Sequence, residues 1–241
     1  MIGFEVTVDI AAPVVLQMLP YGPTLDSVLL SLLSRETRFA GHDDPRLVEA
    51  LEELLQVVDG VPAASALWPD GQVIWMEEVH PRIPSPGEVL YWSHGRYPTD
   101  PPGYKTKGGQ FKSMLTALQL ALASRWHWWG VGDPDKVAEV LGTLISVGGW
   151  RGSGFGAVVS ADIHTDPGAP WLVNGIEPGD FRLSRPVPLD RLDALLAAEP
   201  DPVARDELAP DAHGVVPLPP WPRPPWAGAP DMIPTMIPVL R

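Results

Sequence analysis

Between Asp133 and Val159 a helical repeat runs straight into a glycine-dense loop and then into a β-branched run. Val137, Val140, Leu141, Leu144 and Ile145 recur at three- and four-residue intervals, behind Asp133 as N-cap and Pro134 at the first helical position. The spacing predicts a helix over 133–145. Val147 to Val159 follows, with glycine at 148, 149, 152, 154 and 156 and Arg151 as the single cation among them. Glycine tolerates positive φ and leaves backbone N–H groups bare, and such groups can form a concave anion site. A guanidinium adds a fixed fork suited to phosphate. The stretch reads as a loop built to lie against a phosphate backbone, with Gly149, Gly152, Gly154 and Gly156 allowing close approach. A flexible loop or bulged hairpin is the other reading these residues permit.

Three enzyme motifs fail at this stretch. A Walker A loop needs a lysine and lies between a strand and the helix it opens, but here the helix comes first. A dinucleotide fingerprint has the same strand-then-helix context. A nucleophile elbow needs glycine where Arg151 and Phe155 stand.

The 241 residues suffice for one sizeable core or two small domains. With no cysteine, disulfides and thiolate metal sites are excluded. Met1 to Asp9 is strand-like rather than signal-like, and no run of about 18 apolar residues occurs, so no membrane span and a cytoplasmic location are expected. The net charge of −13 argues against a generic nucleic-acid binder. Its distribution is uneven. Residues 89–132 hold Arg96, Lys105, Lys107, Lys112 and Arg125 against Asp100 alone. A cationic patch on an acidic body would steer a polyanion to one face, unless the acids merely solubilise and the cluster is incidental.

Phe4, Val6, Val8 and Ile10 alternate with Glu5, Thr7 and Asp9 as in a half-buried strand running on towards Leu16. Helices are expected from Thr24 through Leu33 and from Leu47 through Leu55. Ala63–Trp68 and Gln72–Val79 flank Pro69-Asp70-Gly71, a hairpin signal. Val89–Tyr97 and Tyr104–Leu122 read as arms around a proline-rich tip. Lys105, Lys107, Gly108, Gly109 and Lys112 lie beside Tyr104 and Phe111, a mixture that suits phosphate pairing with base stacking, although an ordinary exposed hairpin is equally open. Trp126, Trp128 and Trp129 belong mainly in a core or interface. Asp162, His164 and Asp166 share one face of a strand over Ala157–His164 and read as surface residues before metal ligands. Leu189–Ala198 reads as a short helix. From Glu199 the prolines predict an extended tail without regular structure, pinned by Trp221 and Trp226. The order strand, helix, strands, helix, strand suits an α+β, ferredoxin-like sandwich over 1–198 with a long β-hairpin inserted around 89–122, followed by the proline-rich tail over 199–241.

The helix and loop, Asp133–Gly156, resemble those of the RAMP proteins of CRISPR effector complexes, which share a ferredoxin-like (RRM-like) core. More closely, the chain resembles the type IV subunit of the Csf-three family, which takes the Cas-five role. The matching pieces are Ala12-Pro13-Val14, Leu25-Asp26-Ser27-Val28-Leu29, Tyr104-Lys105-Thr106-Lys107-Gly108-Gly109-Gln110-Phe111-Lys112, Trp128-Trp129-Gly130-Val131-Gly132-Asp133 and Pro224-Pro225-Trp226. Related loops carry several basic residues; this one keeps Arg151 and sets Trp150 beside it. The resemblance implies a non-catalytic subunit that holds the 5′ handle of crRNA, caps a filament of backbone subunits and abuts the large subunit near target DNA, with no metal or cofactor. The residues expected to meet RNA are Arg151, Gly149, Trp150, Gly152, Ser153, Gly154 and Phe155 in the loop. Lys105, Lys107, Gly108, Gly109, Lys112, Tyr104 and Phe111 join them from the hairpin, and Arg125 from beyond it. A crRNA-processing endoribonuclease on the same scaffold is the alternative, with His42, His94 or His127 as acid or base. A metal hydrolase using His42, Asp43, Asp44, Asp162 and His164 is a third class, against which the scatter of the acids counts.

Overall fold

In the computed structural model the described residues are 1–16, 21–36, 45–82, 114–149, 151–175, 179–199, 202–209, 211–218 and 233–238. The central strand is β1 (Ile2–Ile10), whose alternation turns Phe4, Val6, Val8 and Ile10 into the core and Glu5, Thr7 and Asp9 to the other face. Instead of running on towards Leu16, the strand ends at Ile10, and β2 (Val14–Val15) joins a different sheet. Antiparallel neighbours flank β1: β8 (Arg125–Gly132) on one side and β9 (Val158–Thr165) on the other. β5 (Trp68–Pro69) pairs with the far edge of β8, giving the order β5-β8-β1-β9.

On the inner face Trp126 and Trp128 are fully buried, with indole N–H groups donating to the carbonyls of Ala123 (3.0 Å) and Pro23 (2.9 Å). Against them pack α1 (Leu25–Glu36) through Leu25, Leu29 and Leu32, α2 (Pro45–Glu52) through Leu47 and Leu51, and α3 (Pro134–Leu141) through Val137, Val140 and Leu141. Asp133 caps α3 as expected, accepting from the Lys136 N–H at 3.2 Å, a bond of a kind that contributes about 1 kcal/mol. The helix is shorter than its apolar spacing suggests. It ends at Gly142, and Ile145 is 73% exposed rather than part of the stripe. Strand-like bonding wins there: Val158 N–H donates to Ile145 (3.0 Å) and Val147 N–H to Gly156 (2.9 Å), closing a hairpin around the glycine loop.

The Asp70-Gly71 signal misleads about pairing. β5 and β6 (Ile74–Arg82) belong to different sheets, with β6 pairing instead with β7 (Met114–Leu122), from Ile74↔Leu122 to Arg82↔Met114. The tight hairpin forms at Asp59-Gly60, where both residues take positive φ (47° and 71°) and join β3 (Val57–Val58) to β4 (Val61–Pro62). β2, β7 and β6 make a three-stranded sheet in that order. The segment between β6 and β7, with the expected arm Val89–Tyr97, lies outside the described residues.

A second apolar core joins Val61 and Ala63 to Trp171, Leu172, Leu183 and Val187 and to Leu192, Leu195 and Leu196 of α4 (Leu192–Ala197), with Val131 packing against it. Val131 shares a face of β8 with His127 and Trp129, so this core covers one end of the outer sheet face. Two small strands, β10 (Val173–Asn174) and β11 (Arg182–Leu183), pair beside it.

The tail is not structureless. β12 (Val187–Pro188), β13 (His213–Leu218) and β14 (Ile233–Pro238) form a sheet with β14 in the middle. Its prolines are tolerated because of parity. Pro217 faces Pro234, Pro238 faces His213, and the Pro234 carbonyl turns to the opposite edge, accepting from Leu189 N–H at 3.0 Å. Each proline therefore sits where no N–H towards β13 or β14 is required. Trp221 and Trp226 lie outside the described residues. The chain is thus mixed α+β with several antiparallel sheets, and among the described residues no helix is long and apolar enough to cross a membrane.

Candidate nucleic-acid interface

The glycine loop leaves α3 and is fastened to β2 and its approach at the loop's two ends. Gly149 N–H donates to Val15 (3.0 Å) and Gly156 N–H to Pro13 (2.9 Å). Phe155 packs on the small cluster of Val15, Leu118 and Leu120. The loop is therefore seated on the root of the β6–β7 hairpin, on the same strand that begins at Met114, where the lysine segment joins the described chain.

Its glycines divide by role. At Gly156 (φ +62°) an added Cβ would run into the Val147 carbonyl, and at Gly148 (φ +79°) it would meet Val14 and Val15. These two let the protein's own backbones approach. At Gly152 and Gly154 an added Cβ would meet open space. Gly149 and Gly156 thus spend their amides inside the fold, while the 3₁₀ turn Arg151–Ser153, closed by Gly154 N–H donating to the Arg151 carbonyl (3.1 Å), forms an exposed apex. Phe155 is partly buried and holds the loop rather than presenting a free stacking ring.

Arg151 stands on that apex. Loss of hydration, and then the like charge of Arg35, hold its guanidinium below its ordinary value. It stays protonated regardless, because an arginine cannot be neutralised in this range. Arg35 comes from the last turn of α1 and is also exposed. Among the described residues neither arginine pairs with a carboxylate. Sequence reasoning missed Arg35. Its only signal is a cation at a helix C-terminus, which ordinarily reads as a partner of the helix dipole.

Arg125 must be taken out of the expected set of free cations. Its Nε lies 2.9 Å from Asp9 Oδ1 on the neighbouring strand, and Asp9, Asp70 and Asp162 all raise its affinity for its proton. Asp9 is correspondingly lowered, first by its hydrogen bond to Arg125. The register explains this: Asp9 opposes Arg125 on one side and Ser160 on the other, whose hydroxyl donates to Asp9 at 3.2 Å. Trp150, Tyr104, Lys105, Lys107, Gly108, Gly109, Phe111 and Lys112 lie outside the described residues.

The outer face of the β5-β8-β1-β9 sheet is acidic. His127 stands there stacked on Trp129 (6.0 Å between centroids, 6° between planes), with Nδ1 2.8 Å from Glu5 and Nε2 3.5 Å from Asp70. The Nδ1 contact is close but not aligned as a hydrogen bond. Asp162 and His164 are exposed on the same strand face, and Asp166 accepts from Gly168 N–H in a turn. Among the described residues no three such side chains gather in a way that could hold a metal. His42, Asp43, Asp44 and His94 lie outside the described residues.

A buried polar cluster ties the two cores together and was not legible in the sequence. Arg185 reaches Asp26 of α1 at 3.7 Å and donates to the carbonyls of Ala64 (2.8 Å) and Pro62. Burial lowers Arg185, partly offset by Asp26, and burial also raises Tyr21 beside them. No known protein-family model matches the chain, and no curated protein matches it in sequence.

Proposed function

We propose that this chain is a non-catalytic, RNA-binding subunit of a type IV CRISPR effector ribonucleoprotein, holding the 5′ handle of crRNA at the end of a filament of backbone subunits. The scaffold supports the reading. Strand β1, helix α1, strands β5 and β8, helix α3 and strand β9 follow in the order of a ferredoxin-like sandwich, and their sheet order β5-β8-β1-β9 is the one that fold requires. The observation that carries the proposal is the loop apex. Arg151 stands exposed there, near enough to Arg35 to feel its like charge, with no acid partner among the described residues, beside open glycines, on a chain of net charge −13. Like charges with no acid partner among the described residues make physical sense if an anion completes them.

In this reading the hairpin lysines Lys105, Lys107 and Lys112 extend the track, with Tyr104, Phe111 and Trp150 as stacking rings, while the acidic sheet face keeps RNA off the rest of the body. The test is co-purification with the partner subunits. A small RNA of uniform length should travel with the wild-type chain, and Arg151→Glu combined with Arg35→Glu should lose it. A preparation free of nucleic acid, from which added crRNA is also excluded, would end the proposal. Cleavage of a labelled repeat RNA would transfer the chain to the endoribonuclease class.

A further inference from the structure

We propose that His213 is an acid-labile latch, fastening the start of strand β13 to strand β11 through a neutral imidazole. The ring stands between two backbone groups of opposite character. Its Nε2 is 2.9 Å from the amide nitrogen of Leu183, and its Nδ1 is 2.9 Å from the carbonyl oxygen of Ala209. An amide N–H only donates and a carbonyl only accepts. Nε2 must therefore accept, Nδ1 must carry the proton, and the ring has room for one proton only.

The contact is structural at both ends. Leu183 is fully buried in the second core, and its N–H takes the imidazole in place of a backbone acceptor. The Ala209 carbonyl also receives Ala212 N–H (3.2 Å), while Ala209 N–H donates to Phe181 (2.8 Å). His213 opens the β13–β14 ladder opposite Pro238. A second proton would turn an N–H towards the N–H of Leu183, removing an acceptor and adding repulsion. A buried donor left without a partner is costly, so the joint opens rather than tolerate it.

The surroundings favour the neutral ring. Burial lowers the affinity of His213 for a second proton, the Ala209 hydrogen bond partly offsets this, and Arg182 lowers it further. The charged groups on the elements around it are Asp180 and Arg182 (3.7 Å apart), Arg205, Asp206 and Glu207 of the 3₁₀ turn, and Asp211. Of these, Arg182 alone bears on the ring's charge. The sign follows. The unfolded chain takes up the proton near the ordinary value of 6.5, whereas the folded ring resists it to lower pH. The latch is fully effective above that value and is lost as pH falls through the folded value. Because β14 is also held by β12 and by Leu189, acid loosens residues 181–183 and 211–214 while leaving the 187–188 and 233–238 pairing in place.

Nothing in this inference depends on RNA, and the full chain alone tests it. Long-range ¹H–¹⁵N spectra of the imidazole should show the Nδ1–H form at about pH 7.5, and the ring should protonate below the ordinary value. Amide protection at Leu183, corrected for intrinsic exchange, should fall at least about tenfold between about pH 7.5 and pH 5. In His213→Gln, which keeps a donor and an acceptor but no charge, protection should stay level. An Nε2–H form, ring protonation at or above the ordinary value, or Leu183 protection independent of pH would overturn the proposal. The spectra and the wild-type exchange decide it even if His213→Gln does not fold.

Discussion

Arg125 and Arg151 look alike in the sequence, yet their surroundings separate them. Arg125 spends its charge on Asp9 across the strand, and Arg151 has no such partner among the described residues. Arg151→Ala should therefore weaken RNA binding several-fold and reduce the slope of log K against log salt by roughly 0.7 for each phosphate no longer neutralised. Arg125→Ala should leave both nearly unchanged in the same filter-binding experiment. The exposed position of the loop arginine was legible because the glycines around it mark a turn. The fate of Arg125 was not, because it depends on which strands become neighbours. The same holds for Arg185 and Asp26, remote in sequence and both buried. Breaking that pair by Arg185→Ala should destabilise the protein by about 3–5 kcal/mol in urea unfolding, while Asp26→Leu with Arg185→Met should cost far less, since the buried charges then leave together.

At the scale of elements, the loop's seating is the critical feature. Gly156→Ala forces a Cβ into the Val147 carbonyl at positive φ, and should lower both the unfolding midpoint and RNA affinity. Gly152→Ala meets open space and should change stability little, so any effect on RNA reports the surface itself. Equal effects of the two substitutions on stability would refute this division of the glycines. Strand β1, Asp133–Pro134 and the buried tryptophans were readable because period, cap and apolar bulk each point one way. The tail and the Asp70-Gly71 turn were misread for a common reason. Proline and glycine report local geometry, whereas pairing is chosen by distant strands: Arg125 for Asp70, whose N–H donates to it at 2.9 Å, and Pro188 and Thr235 for the tail.

For the molecule as a whole, the two main cores of the described residues lie against one central sheet. Among the described residues, acids gather on the outer sheet face around His127 and Arg125, and Arg151 stands on the separate loop apex. One acid also sets a pH dependence. Desolvation raises Glu199 to about 7 from 4.5, so the folded chain keeps a proton that the unfolded chain releases. Stability should accordingly decline as pH rises from 4.5 to about 7, and Glu199→Gln should raise the melting temperature above that range but not below it. The central claim, that a polyanion is gripped at the loop apex of an acidic body, is tested most directly by titrating labelled crRNA onto the wild-type and Arg151→Ala chains at roughly 50 and 200 mM salt. The account predicts tight, salt-sensitive binding by the wild type and a weaker, flatter response in the variant; identical slopes for the two chains would contradict it.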